Sequence, residues 1–121
     1  MKPAAFDYIR AESAAHASAL LVEDENGRII AGGQTLVPML AMRLARPSRL
    51  IDIARIPELS YIRDESETIS IGATTRQVLV EKSALIAQKL PLLHTASEWV
   101  GHPPTRARGT VGGSLANSDP A

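Results

Sequence analysis

The 121-residue chain has no cysteine. That excludes a disulfide framework, thiolate chemistry and any cysteine-held metal or iron–sulfur centre within it. Aromatic residues are nearly as scarce, at one Trp, one Phe and two Tyr, or 3% of the chain. The core must therefore be aliphatic and alanine-rich, and few side chains are left for a stacked-aromatic ligand platform. An excess of either charge is also lacking. Thirteen Lys and Arg balance thirteen Asp and Glu, so there is no electrostatic case for nucleic acid or an acidic membrane surface. No apolar run approaches the ~20 residues of a membrane span. The opening "MKPAAFDYIRAES" has no apolar signal-peptide core, and a cytoplasmic location is expected. What is present is ordinary for a soluble domain: 45% hydrophobic and 21% charged residues, with room for one core.

The pattern along the chain alternates short strands and helices. "AFDYI" reads as a first strand, and Ser13 as the cap of a helix reaching about Asp24, with Ala17, Leu20 and Leu21 on its buried side. Gly27 stands where a helix-ending residue of positive φ is expected. "RIIA" (28–31) reads as a second strand, and residues 36–44 as a helix that Thr35 could cap, with Pro38 tolerable in its first turn. "RLIDI" (49–53) completes a β-α-β-α-β pattern, the habit of sheets covered by helices. A turn at "IPEL" leads to a hairpin in which Tyr61–Arg63 pairs with Thr68–Ile71. Residues 75–81 and 84–100 read as helical, the second interrupted by Pro91. From Gly101 onward the glycines and prolines predict loop, and a chain ending in a loop reads as the amino-terminal portion of something longer.

Two glycine pairs carry the chemical signal. In "IIAGGQTLVPML" an apolar strand runs into Gly32 and Gly33, then the polar Gln34 and Thr35, then a helical segment. Glycines uncover backbone N–H groups, and a following helix start favours an anion. The bland alternative is a plain tight turn. The spacing is neither G-x-G-x-x-G, since there is no third glycine, nor G-x-x-x-x-G-K-[ST], since there is no lysine. "RGTVGGSLANSDPA" is a second such element. Arg106 and Arg108 are possible phosphate partners beside it, Thr110, Gly112, Gly113 and Ser114 are small or hydroxyl-bearing, and Asp119 could accept from a sugar or ribitol hydroxyl. Two backbone-exposing loops suit a ligand with two phosphates; a flexible loop with solvated charges is the alternative.

"AGGQTLVPMLAMRLARPSRLIDIARIPEL" and "RGTVGGSLANSDPA", with "TISIGATTRQVLVE" between them, resemble the FAD-binding subunit of the molybdenum hydroxylases across the whole chain. The resemblance implies an α+β flavin domain of the vanillyl-alcohol-oxidase type (PCMH type), with two subdomains and FAD between them. Residues 1–55 would form the first subdomain, and 56–121 would begin a second that continues past Ala121 in that family. It further implies that Ala31, Gly32, Gly33, Gln34, Thr35 and Leu36 line the pyrophosphate. Thr110, Val111, Gly112, Gly113 and Ser114 would form the second loop, with Asp119 near the ribityl chain. The implied activity is electron relay. A large subunit holding the molybdenum cofactor and a small iron–sulfur subunit would be the partners, and FAD would be this chain's cofactor, which suits a chain without cysteine. Where similar proteins read Ile-Arg-Asn before the second motif, this one reads Thr105-Arg106-Ala107, and Ala107 has no amide to offer.

Other residues carry less. His16, His94 and His102 lack ligand spacing, so no metal and no catalytic side chain is expected; His102 alone lies close to the second motif. Asp64, Glu65 and Glu67 read as solvated acids at a hairpin tip, and Trp99 as a core or interface residue. Two other readings of the chain differ in kind: a non-catalytic truncated fragment or interaction module that does not hold flavin by itself, which would be colourless, and a small domain taking simple phosphates or nucleotides as readily as FAD.

Overall fold

Three short strands run parallel because each connection between them is long enough to hold a helix. In the computed structural model, which describes residues 1–119, these are β1 (Asp7–Arg10), β2 (Gly27–Ile30) and β3 (Arg49–Asp52), joined through α1 (Ala14–Glu23) and α2 (Leu36–Ala41). The sheet order is β1-β3-β2. The last strand therefore sits in the middle, with Ile51 opposite both Ile9 and Ile29. Ile51 is fully buried and joins Ala11, Ala17, Leu20 and Ile56 in the core.

Helix α1 begins where expected, the Ser13 hydroxyl accepting the His16 N–H at 3.0 Å. Ala17 and Leu20, three apart, share its buried face. Leu21, expected beside them, is 40% exposed, because one residue on turns the side chain about 100° away on a helix of 3.6 residues per turn. Gly27 also departs from expectation. It opens β2 and donates to the Asp24 carbonyl at 2.9 Å, while positive φ among the described glycines occurs at Gly33 and Gly101. Helix α2 stops at Ala41 rather than Leu44 because Arg43 turns to φ 56, a common way to end a helix. Thr35 makes no side-chain capping bond.

After a 3-10 turn at Pro57–Leu59, the expected hairpin forms from β4 (Ile62–Asp64) and β5 (Ile69–Ile71), with Ile62 opposite Ile71. Then come α3 (Gln77–Lys82), α4 (Ala84–Lys89) and α5 (Pro91–Ser97). The predicted loop beyond Gly101 is instead largely helical, as α6 (Pro103–Arg108) and α7 (Val111–Asn117). Pro103 can open α6 because a first-turn N–H would have no acceptor in the helix. In α7 two glycines lower intrinsic helix preference, and tertiary contacts described below override it.

The hairpin is fastened to α4 by Lys89 Nζ, 2.7 Å from Asp64 Oδ2. That bond, followed by the Ser66 N–H donated to the same carboxylate, holds Asp64 below its ordinary value of 3.8. A depressed carboxylate adds stability above its ordinary pKa and loses it as pH falls through the lowered one. The thermal midpoint of Asp64→Asn is therefore expected below that of the native chain at pH 7, the gap closing under acid conditions below 3.8. A gap that does not change with pH would refute this role for the carboxylate.

Candidate functional site

The end of β2 is set by backbone geometry. Gly33 takes φ +72, and a Cβ there would meet Val37 Cγ2 at 3.0 Å and Ile30 Cδ1 at 3.4 Å. The Val37 N–H donates to the Gly33 carbonyl at 2.9 Å, the first internal bond of the following helix. The N–H groups of Gln34, Thr35 and Leu36 precede that bond, and none has a backbone acceptor among the described residues. Consecutive amides left over at a turn form a concavity suited to an anion.

The second glycine pair is built differently. The Thr110 side chain is buried, and its hydroxyl accepts the Gly113 N–H at 3.1 Å. The Val111 N–H donates to Thr75 O at 3.0 Å and the Gly112 N–H to Ala73 O at 2.8 Å. Three successive amides are thus used inside the protein, so the expectation of two backbone-exposing loops holds for the first pair alone. Gly112 serves close approach instead, since a Cβ there would lie 2.7 Å from Ala73 O.

The two segments touch. A Cβ on Gly32 would sit 2.3 Å from the Arg108 carbonyl oxygen and 2.9 Å from Gly109 Cα. Between them opens a cleft of about 1120 Å³, just above the roughly 300–1,000 Å³ usual for small-molecule sites. Ala31, Gly32, Gly33, Gln34, Thr35 and Leu36 of the first segment line it, as do Thr110, Gly112, Gly113, Ser114 and Asp119 of the second; Val111 does not. Residues the sequence reading passed over also line it, among them Arg28, Met39, Gln77, Thr105 and Asn117. Trp99 lies at the cleft and is 83% exposed, not in the core. Its position one residue before Val100-Gly101, at the end of a helical stretch, was the available signal.

Residues 4–121 match the family described as the FAD binding domain in molybdopterin dehydrogenase. The chain belongs to that family. It is 51% identical to the 6-hydroxypseudooxynicotine dehydrogenase complex subunit alpha of Paenarthrobacter nicotinovorans, over 100% of this chain and 41% of that one. It is 40% identical to the glyceraldehyde dehydrogenase medium chain of Sulfolobus acidocaldarius, over 100% of this chain and 43% of that one. Among solved structures, the carbon monoxide dehydrogenase of Hydrogenophaga pseudoflava superposes with a TM-score of 0.96 at 42% identity, covering 99% of this chain and 42% of its counterpart. This chain thus spans about two fifths of the length of these relatives. Its fold is that of the PCMH-type FAD-binding domain.

Within this family domain, Arg106 is not a phosphate partner. It is 8% exposed, with Nε 3.0 Å from Glu81 Oε2 and Nη2 3.4 Å from Glu81 Oε1. Its Nη1 donates to the carbonyls of Glu98, Val100 and Gly101 at 3.1, 3.4 and 3.2 Å. The guanidinium therefore ties α3 and α6 to the segment carrying Trp99. Arg108 contributes its main chain at Gly32, while its side chain is exposed. His102 sits at the start of α6 without a capping bond, and His16 Nδ1 accepts the Glu12 N–H at 3.1 Å. No group of three His, Asp or Glu among the described residues could hold a metal. None of their helices is long and apolar enough to cross a membrane.

Removing one member of such a largely buried pair strands the other. Arg106→Ala is expected to destabilise the chain by about 3 kcal/mol, read from the denaturant midpoint. A loss below about 1 kcal/mol, the range of exposed surface pairs, would contradict the tie.

Proposed function

We propose that the chain is the amino-terminal part of the FAD-binding subunit of a molybdenum-containing hydroxylase or dehydrogenase, residues 1–55 forming one flavin subdomain and 56–121 the start of the second. One observation carries the reading. A turn whose amides at Gln34, Thr35 and Leu36 have no backbone acceptor among the described residues lines, with a second glycine pair, a cleft of about 1120 Å³, in a chain of the FAD-binding family.

The residues fit the group. Gly33 at φ +72 and the amides after it offer a diphosphate backbone donors without a side chain in the way. Gly112 and Gly113 keep the opposite wall thin, and Ser114 adds a hydroxyl. Asp119, at the same cleft, is an acceptor for ribityl hydroxyls. Ala31, Leu36, Ile53 and Met39 supply apolar surface that keeps water from the bound group. FAD, when bound, supplies a redox centre able to accept and pass on electrons. This chain's residues bind and orient it, and no side chain is assigned a catalytic role.

The chain would serve as an oxidoreductase subunit in a cytoplasmic complex. Electrons would arrive from iron–sulfur clusters in a small subunit, downstream of a molybdenum cofactor in a large one, and leave from FAD to an acceptor. That division of labour accords with the absence of cysteine, and with relatives named as subunits or medium chains of dehydrogenases.

Titrating the chain with FAD tests the proposal, with flavin fluorescence as the signal and FMN and ADP as controls. Saturable FAD binding, displaced by ADP and well above FMN, is expected. Gly33→Val should weaken it at least tenfold, since a left-handed φ costs a side chain roughly 1–2 kcal/mol and shifts the turn. Equal binding of FMN and FAD would refute a diphosphate site.

A further inference from the structure

Gln77, the first residue of α3, lines the cleft although neither glycine pair contains it. Its main-chain N–H donates to Gly109 O at 2.9 Å, which pins it to the segment leading into α7. Its side-chain Nε2 donates to the hydroxyl oxygen of Ser114. Its Oε1 is buried without a partner, at a spot where a Cβ on Gly109 would come within 2.8 Å.

A serine hydroxyl has one hydrogen and can accept as well as donate. Because Ser114 Oγ accepts from Gln77, its own hydrogen is left over, and it donates to no described residue. Ser114 is exposed and lines the same cleft. We infer that Gln77 is a positioning residue, which fixes the Ser114 hydroxyl as a donor to a phosphate oxygen of the ligand. The inference rests on the FAD reading and extends it. Ser114 lines the same cleft as residues 34–36, so both glycine-bearing segments would hold the diphosphate although the amides of Val111, Gly112 and Gly113 are already engaged.

The test is a double-mutant cycle on the whole chain with Gln77→Met, Ser114→Ala and the pair, measuring FAD and ADP dissociation constants and thermal midpoints. Methionine keeps the length of glutamine and removes its amide. Each single change is expected to weaken FAD about tenfold, as for a lost hydrogen bond to a charged group. The double variant should bind no worse than Ser114→Ala, and ADP should show the same coupling. An undiminished Gln77→Met effect in the Ser114→Ala background would make Gln77 merely structural and overturn the inference. So would unchanged binding in Gln77→Met, or coupling seen with FAD but not ADP. Failure of the native chain to bind FAD at all would instead overturn the flavin reading beneath it.

Discussion

Between Gly32 and the main chain at Arg108–Gly109 there is no room for a single additional carbon, and the rest of the site follows from that contact. It brings the end of a strand in the parallel sheet against the segment between α6 and α7, some seventy-five residues further on. Neither segment closes a cleft alone. Held together, they line one cleft with two glycine-bearing segments, whose uncovered backbone a ligand rich in phosphate and hydroxyl oxygens can approach closely.

The two walls divide the work. The turn at Gly33 leaves amides over because its glycine adopts a left-handed conformation and the helix after it is only beginning. The α7 wall has no such surplus, since Thr110, Thr75 and Ala73 take up its amides. Its glycines make the wall thin, and its side chains supply the polar groups. Arg106 then fixes the segment carrying Trp99 by gripping three carbonyls while Glu81 balances its charge. A cation that reads in sequence as a ligand partner is thus consumed by the architecture around the ligand.

The β-α-β-α-β run and the hairpin were legible because apolar alternation, Ser13 and the turn residues act locally, and strand ends fell within about two residues of expectation. Eleven of the twelve anticipated site residues reach the cleft, because both glycine pairs lie at points where the chain must leave a regular element. The failures have a common cause. The helices after Gly101 and the burial of Arg106 depend on partners far away in sequence, such as Ala73, Thr75 and Glu81. Gln77 was invisible for the same reason, since a glutamine in a helix acquires meaning only from the serine it reaches thirty-seven residues on.

The claim at the centre of this account is that the first glycine turn, not the second, supplies backbone donors to the ligand. Amide proton–nitrogen correlation spectra with and without FAD test it most directly. The account predicts that the amides of Gln34, Thr35 and Leu36 shift and become protected on binding, while those of Val111, Gly112 and Gly113 exchange slowly in both states. Fast exchange at Val111–Gly113 in the free chain, becoming slow only with FAD and with no response at residues 34–36, would contradict it.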